Sequence, residues 1–124
     1  MHRLFFEPTW EKNVSYEIRK KIEKRFSDRN TSTHMFDILW TTRNHRGHLL
    51  VITLIHNELE ENLSLIHEQI GLYKNNQLIA ETHVTEEKCF IPKYTSMPWT
   101  FIFRDHTQLD LHGEETDKLE LRKI

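Results

Sequence analysis

Residues 91–103 read IPKYTSMPWTFIF, and this stretch does most to decide the fold. Its second half, WTFIF, has the aromatic and β-branched composition of a strand. Pro92 and Pro98 flank KYTSM and predict a loop that leads into this strand, where the missing N–H of a proline does little harm. Alternate side chains of the strand should face the core, and these are Trp99, Phe101 and Phe103.

Two hydroxyl side chains, Thr95 and Ser96, stand in the middle of the same stretch. A serine or threonine nucleophile needs a base within reach and a pair of donors for the oxyanion. The residues next to them in the sequence supply neither. We therefore predict that Thr95 and Ser96 form local hydrogen bonds to the backbone, as such residues do in turns.

The chain upstream of this stretch contains one strong helix pattern. Between residues 14 and 29 apolar side chains recur at every fourth position, and lysine and arginine fill many of the other positions. This spacing predicts one N-terminal amphipathic helix, with Asn13 or Ser15 as its cap. The side chains predicted to face the core are Val14, Ile18, Ile22 and Phe26.

The rest of the chain has the pattern of short strands. Residues 36–42 alternate between apolar and other side chains. The segment 48–56, HLLVITLIH, is apolar on both alternating faces, so we expect a central strand covered on both sides. Further strands are predicted at residues 63–73, 78–84, 99–104 and 118–123. About six short strands after one helix predict a mainly β fold, an immunoglobulin-like β-sandwich over about residues 34–123.

Composition limits the partners and the compartment. The 124 residues fit one domain spanning 1–124, and the formal net charge of −2 is too small to attract nucleic acid. Cys89 is the only cysteine, so an internal disulfide cannot form. Its neighbours Phe90 and Ile91 are apolar and predict a packed, unreactive thiol. No apolar run is long enough for a signal peptide or a membrane span, so we expect a cytoplasmic protein without membrane insertion.

Four stretches carry a resemblance to a known family: LFFEPTW at 4–10, LLVITLIHN at 49–57, IGLYKNNQLIAE at 70–81 and IPKYTSMPWTFIF at 91–103. Together they resemble the SLAP domain, named for the S-layer assembly protein of the accessory Sec system in Bacillus and its relatives. In that family a domain opens with an aromatic-Pro-Trp stretch, contains a V-x-x-x-I-x-N strand and closes on I-P-x-x-(S/T)-S-x-P-W-T-F-x-F. The closing motif is the most specific part, and the resemblance spans nearly the whole chain.

The resemblance implies a non-catalytic binding or adaptor module, with accessory secretion or S-layer assembly as its setting. The family offers no catalytic residues to place on this sequence, and we expect no cofactor. The assembly protein contains two such domains, whereas this chain contains one copy, so export of S-layer proteins is not implied for it. A stand-alone copy is similar to small cytoplasmic relatives without an assigned role.

Nine histidines raise the alternative of a small metal-dependent or hydrolytic enzyme. His48 and His56 have the same parity in one strand, but eight residues of extended chain separate them by about 26 Å. His67 and His83 fall on neighbouring predicted strands. The carboxylates cluster at predicted turns, and the isolated glycines cannot form a phosphate loop. We predict no metal site and no catalytic residue.

A partner surface is expected, and two candidates are open. The helix face with Arg19, Lys20 and Lys24 could bind RNA, acidic protein or anionic lipid, although a solvated face is the simpler interpretation. Aromatic residues do not interleave with these cations, so a protein partner is favoured over nucleic acid. Trp99 is the second candidate, because an exposed tryptophan often dominates an interface. A homo-oligomer and a basic-helix nucleic-acid binder stay open as alternatives.

Overall fold

A computed structural model describes residues 2–29, 34–104 and 118–124 of the chain. Strands make up 47% and helices 19% of these residues, so the prediction of a mainly β fold is confirmed. In chain order the elements are β1 (Arg3–Leu4), α1 (Pro8–Asn13), α2 (Tyr16–Asp28), β2 (Phe36–Arg43), β3 (Leu49–Asn57), β4 (Leu63–Ser64), β5 (Gln69–Lys74), β6 (Gln77–His83), β7 (Phe90–Ile91), β8 (Thr95–Phe103) and β9 (Leu119–Lys123).

Two helices lie near the N-terminus where one was expected. The predicted helix is α2, and its start is confirmed because Oγ of Ser15 accepts a hydrogen bond from the N–H of Ile18 at 3.2 Å. With six residues, α1 is too short to show a period. Its start still has a local signal, since Pro8 is in the first turn and Glu7 accepts from the N–H of Thr9 at 3.0 Å. Neither helix is long and apolar enough to cross a membrane.

The largest sheet has four strands in the order β1-β8-β3-β2 and curls into a half-barrel. It is mixed, because β1 runs parallel to β8 while the other neighbours are antiparallel. A three-stranded sheet, β6-β5-β9, and a two-stranded sheet, β4-β7, contain the remaining described strands. The described strands do not form the expected immunoglobulin-like sandwich. Alternation along a strand predicts which face is buried, but it does not predict which strands are neighbours.

The strand β3 lies at the centre of the molecule and separates two apolar clusters. Val51 and Ile55 point into the main core, which also contains buried side chains of β5, β8 and β9. On the other face Leu54 packs against Ile22 of α2 and against Phe6. The prediction that residues 48–56 contain a central strand covered on both sides is therefore confirmed.

The strand β8 differs from the expected one at its start. It begins at Thr95 and runs through Pro98, so the loop expected between the two prolines is wrong for its second half. Phe101 and Phe103 are buried in the main core, as predicted. Trp99 also packs against this core but is half-buried.

The other strand predictions are confirmed in place, with different bounds. The single strand expected at 63–73 is divided into β4 and β5, while the strands expected at 78–84 and 118–123 are β6 and β9. The turn between β5 and β6 has positive φ values of 52° at Asn75 and 66° at Asn76. Asparagine tolerates this conformation, which a tight hairpin turn requires.

Candidate functional site

A groove of about 480 Å³ follows the outer side of β8. Its floor is formed by residues 99–102. One wall comes from α1 and includes Trp10, and the other comes from the end of β6 and the residues after it, including Val84. Trp10 packs in the helix-side cluster and Trp99 packs on the main core, so the two tryptophans reach the groove from opposite faces of the sheet.

The groove exists because β1 covers only the start of β8. The N–H of Arg3 donates to the carbonyl of Tyr94 at 3.0 Å, and the N–H of Phe5 donates to the carbonyl of Ser96 at 2.9 Å. The chain then leaves the sheet and enters α1 at Pro8. β1 therefore pairs only with the first two residues of β8, Thr95 and Ser96.

From Met97 to Ile102 the outer edge of β8 has no backbone partner among the residues that the structure describes. Backbone groups of a strand alternate between its two neighbours, and the pairing of β8 with β3 contains no bulge. The carbonyl of Ser96 points outward, toward β1. By the same alternation the carbonyl of Pro98 points outward, and so do the N–H and the carbonyl of both Thr100 and Ile102. Pro98 thus places its missing N–H on this open edge, where no ladder bond of β3 is lost.

A second polar feature lies at the start of β8, around Ser96. Oγ of Ser96 lies 2.8 Å from Nε2 of His2 and 2.6 Å from Nδ1 of His56. Ser96 is fully buried and His56 is 3% exposed. The local hydrogen bond predicted for Ser96 is wrong, whereas the one for Thr95 is confirmed, since its hydroxyl donates to the carbonyl of Lys93 at 2.9 Å.

Charged groups surround the two imidazoles. Nδ1 of His2 lies 3.3 Å from Oε2 of Glu58, and Nε2 of His56 lies 3.7 Å from Oδ2 of Asp37. These contacts are close enough for ion pairs, but neither imidazole nitrogen makes a hydrogen bond there with a described residue. Arg25 donates to Asp37, and Arg29 lies 3.5 Å from Glu58. Each carboxylate is therefore shared between an imidazole and an arginine.

The two hydrogen bonds of Ser96 limit which ring nitrogens of His2 and His56 can carry a proton. Ser96 has one hydroxyl proton, so it can donate to one imidazole and must accept from the other. A neutral imidazole that donates to Ser96 has no proton on its second nitrogen. That bare nitrogen would face Glu58 in the case of His2 and Asp37 in the case of His56. One additional proton would give both carboxylates an N–H.

The folded protein resists taking up that proton at His2. Burial lowers the pKa of His2 below its ordinary value of 6.5, and the positive charge of Arg29 lowers it further. Glu58 acts in the opposite direction, and its effect is the smaller one. The pKa direction therefore favours a neutral His2 near pH 7, although a carboxylate lies close to it.

Ser96, His56 and Asp37 are the residue types of a hydrolytic triad, and the fold brings to Ser96 a base that its sequence neighbours do not supply. The base comes from 40 residues away in the sequence. The ring is placed differently from that of a serine hydrolase, because Nδ1 and not Nε2 faces the serine. The fully buried hydroxyl does not line the groove. This arrangement can hold β1, β3 and β8 together, but it offers a substrate no access to Ser96.

The basic helix face is largely paired with acidic side chains of the same region. Arg19 lies 2.6 Å from Glu11 and its guanidinium stacks on the ring of Phe6, with 4.3 Å to the centroid. The other two predicted contacts make ion pairs within the helix, Lys20 with Glu23 at 3.4 Å and Lys24 with Asp28 at 3.2 Å. The face therefore presents mixed charge.

The four predicted contact residues do not form one surface. Arg19, Lys20 and Lys24 are on α2, on the helix side of the large sheet, whereas Trp99 packs on the main core. Sequence reasoning missed Trp10 as a partner of Trp99 in the groove. The signal was its place in LFFEPTW, directly after a proline that starts a helix.

The histidines and the cysteine that the structure describes form no metal-binding group. Within residues 2–29, 34–104 and 118–124 no group of three or more histidine, cysteine or acidic side chains is placed to hold a metal ion. His106 and His112 lie outside the described residues, so the expected lack of a metal site stays a prediction. Burial, with a contribution from Glu86, raises the pKa of Cys89 to about 12. The prediction of a packed thiol is confirmed.

A family model of the SLAP domain matches residues 4–122, nearly the whole chain. The chain belongs to the SLAP domain family. Membership links it to accessory Sec and S-layer assembly. No curated protein and no solved structure matches the chain. In this SLAP domain the stretch 91–103 supplies both Ser96 of the polar cluster and the floor of the groove.

Proposed function

We propose that this SLAP domain is a non-catalytic protein-binding module of the accessory secretion or S-layer assembly machinery, acting in the cytoplasm. The observation that carries the proposal is the groove beside β8, which has a tryptophan from each face of the sheet. Half-buried tryptophans next to an open concave surface are typical anchors of protein interfaces. The family link supports the secretory setting.

The groove is a better candidate than the basic helix. Charges on α2 are matched by Glu11, Glu23 and Asp28, so a negatively charged partner would have to compete with pairs that exist already. The groove instead offers apolar surface at its tryptophans together with backbone groups that no described residue pairs with.

Affinity capture from cells that naturally contain the protein tests this proposal. Thr85 is exposed and lines the groove, so Thr85→Arg should block it without disturbing the core. The matched control is Thr42→Arg, which changes an exposed threonine of β2 outside the groove. We expect the captured partner to be lost with Thr85→Arg and kept with Thr42→Arg.

A second control addresses the helix. The double variant Lys20→Glu, Lys24→Glu reverses two exposed charges and should keep the partner. If this variant loses the partner while Thr85→Arg keeps it, the interface is on the helix and the groove proposal is wrong. If the wild-type protein captures no partner even after chemical cross-linking in the cells, the role as a binding module is contradicted.

A further inference from the structure

We infer that the groove binds an extended segment of a partner protein, which adds to the open edge of β8 as a further strand. This inference rests on the proposed function and specifies the kind of partner. It follows from the backbone of β8, from the way in which β1 already uses the same edge, and from the two walls of the groove.

The backbone of the open edge can recognise another main chain. Pro98 contributes an outward carbonyl, and Thr100 and Ile102 each contribute an outward N–H and carbonyl, none of them paired with a described residue. Unpaired groups at a sheet edge are a template for another strand. Five residues, from Pro98 to Ile102, offer about 16 Å of edge at about 3.3 Å per residue.

The first two residues of β8 show what kind of segment covers this edge. There β1 adds an extended chain in parallel, with hydrogen bonds of 3.0 Å and 2.9 Å to the carbonyls of Tyr94 and Ser96. This ladder ends because the chain of β1 turns away into α1. The strand β8 itself continues without change, since its pairing with β3 extends to Phe103. A bound segment would continue the interface that β1 begins.

The walls of the groove define the side chains of the segment. Successive side chains of an added strand point to opposite faces of the sheet. One set would face Trp10 on the side of α1, and the other would face Trp99 and Val84 on the side of β6. The charges that line the groove have both signs, with Lys88 and Glu86 among them, so they select neither an acidic nor a basic segment. Both walls consist mostly of polar residues, and their apolar surface is concentrated at Trp10 on one side and at Trp99 and Val84 on the other. We therefore expect an extended segment of about five residues that has an apolar side chain facing Trp10 and another facing Trp99 and Val84, with polar side chains tolerated between them.

Random peptides displayed on phage are the probe for this mode, selected on the complete protein and then synthesised. If the peptide binds as a strand, N-methylation of alternate residues should weaken binding about tenfold per position, the equivalent of about 1.4 kcal/mol. N-methylation of the intervening residues, whose N–H groups point away from β8, should have a clearly smaller effect. Equal effects at all positions, or a selection that yields no binding peptide, would overturn the inference.

A variant of the protein provides an independent test on the other side of the interface. Thr100→Pro removes one outward N–H from the edge, and Pro98 shows that β8 accommodates proline at this parity. We expect the variant to fold and to lose peptide binding by about tenfold or more. The control Thr100→Ala keeps the N–H and should bind like the wild type. A folded Thr100→Pro variant that binds the peptide equally well would contradict strand addition, and if it fails to fold, the N-methylated peptides decide alone.

The two proposals fail in distinguishable ways. A natural partner that is lost with Thr85→Arg but is insensitive to Thr100→Pro would keep the groove as the interface and remove strand addition. Selected peptides that follow the N-methylation pattern, in a protein that captures no natural partner, would keep strand addition as a property of the edge and contradict the proposed role as a binding module.

Discussion

The two halves of β8 differ in what covers their outer edge. In the covered half, Thr95–Met97, β1 pairs with Thr95 and Ser96, and Ser96 is fixed between two imidazoles. In the open half, Pro98–Phe103, the outward backbone groups of Pro98, Thr100 and Ile102 have no partner among the described residues, and residues 99–102 line the groove. Both halves pair along their full length with β3.

Under the proposed function, one strand would combine a structural role in its covered half with a binding role in its open half. The covered half is held from both edges and by polar contacts to distant parts of the chain. The open half is held by β3 and by Phe101 and Phe103 in the main core. Among the residues that the structure describes, none pairs with the outer edge between Pro98 and Ile102, which is the basis for proposing that another chain binds there.

The largest expected effect tests the claim that the open half is held by its core face. Phe103 is fully buried, so Phe103→Ala should lower the free energy of unfolding by about 3 to 5 kcal/mol through lost burial and a cavity. Thr100 is half-buried and points its backbone to the open edge. Thr100→Ala should cost less than about 1 kcal/mol. Urea unfolding of the two variants measures the difference.

Similar losses in these two variants would contradict the comparison. A large loss for Thr100→Ala would mean that the outer side of β8 contributes to stability and is not spare. A small loss for Phe103→Ala would mean that the core face does not hold the open half. Either result would contradict the claim that the outer side of β8 is not needed for the stability of the fold.

The contrast between the halves also marks what the sequence could predict. The periods of α2 and β3 depend on local spacing, and both were found from the sequence. The open edge was not, because Pro98 inside β8 has the local signal of a loop. The polar cluster was missed for another reason. Ser96 meets His56 and His2 at sequence separations of 40 and 94, and no local pattern signals such contacts.

The second prediction concerns the covered half. Ser96→Ala removes the hydroxyl between His2 and His56 and leaves two buried ring nitrogens without their partner. We expect a loss of about 2 to 3 kcal/mol, because a buried polar group without a hydrogen bond is costly. The neighbouring Thr95 mainly makes a local hydrogen bond to Lys93, so the near-isosteric Thr95→Val should cost about 1 kcal/mol.

The order of these two losses is the informative result, and it can be read from denaturant midpoints measured under one buffer condition. If Thr95→Val costs as much as Ser96→Ala, the two hydroxyls contribute equally. The polar cluster would then stabilise the covered half no more than the local hydrogen bond of Thr95 does.

The third prediction, with the smallest effect, uses pH to test the same cluster. The pKa of His2 in the folded protein lies below 6.5, mainly because of burial. Well above pH 6.5 the imidazole is neutral in both the folded and the unfolded chain, so it adds no pH dependence there. As the pH falls below this value, the unfolded chain takes up a proton that the folded chain does not. His2 should therefore lower the free energy of unfolding by at most about 1.4 kcal/mol per pH unit, until the pH reaches its folded pKa.

Unfolding measured between about pH 5 and pH 7 should then show a shallower slope in His2→Gln than in the wild type, because glutamine does not titrate there. The titration of His2 followed by NMR gives the folded pKa directly. A folded pKa above 6.5 would reverse the sign, so that protonation stabilises the fold and the attraction of Glu58 outweighs burial and Arg29. The covered half would then be held more firmly in acid, and the extra proton of the polar cluster would be one that the native structure prefers.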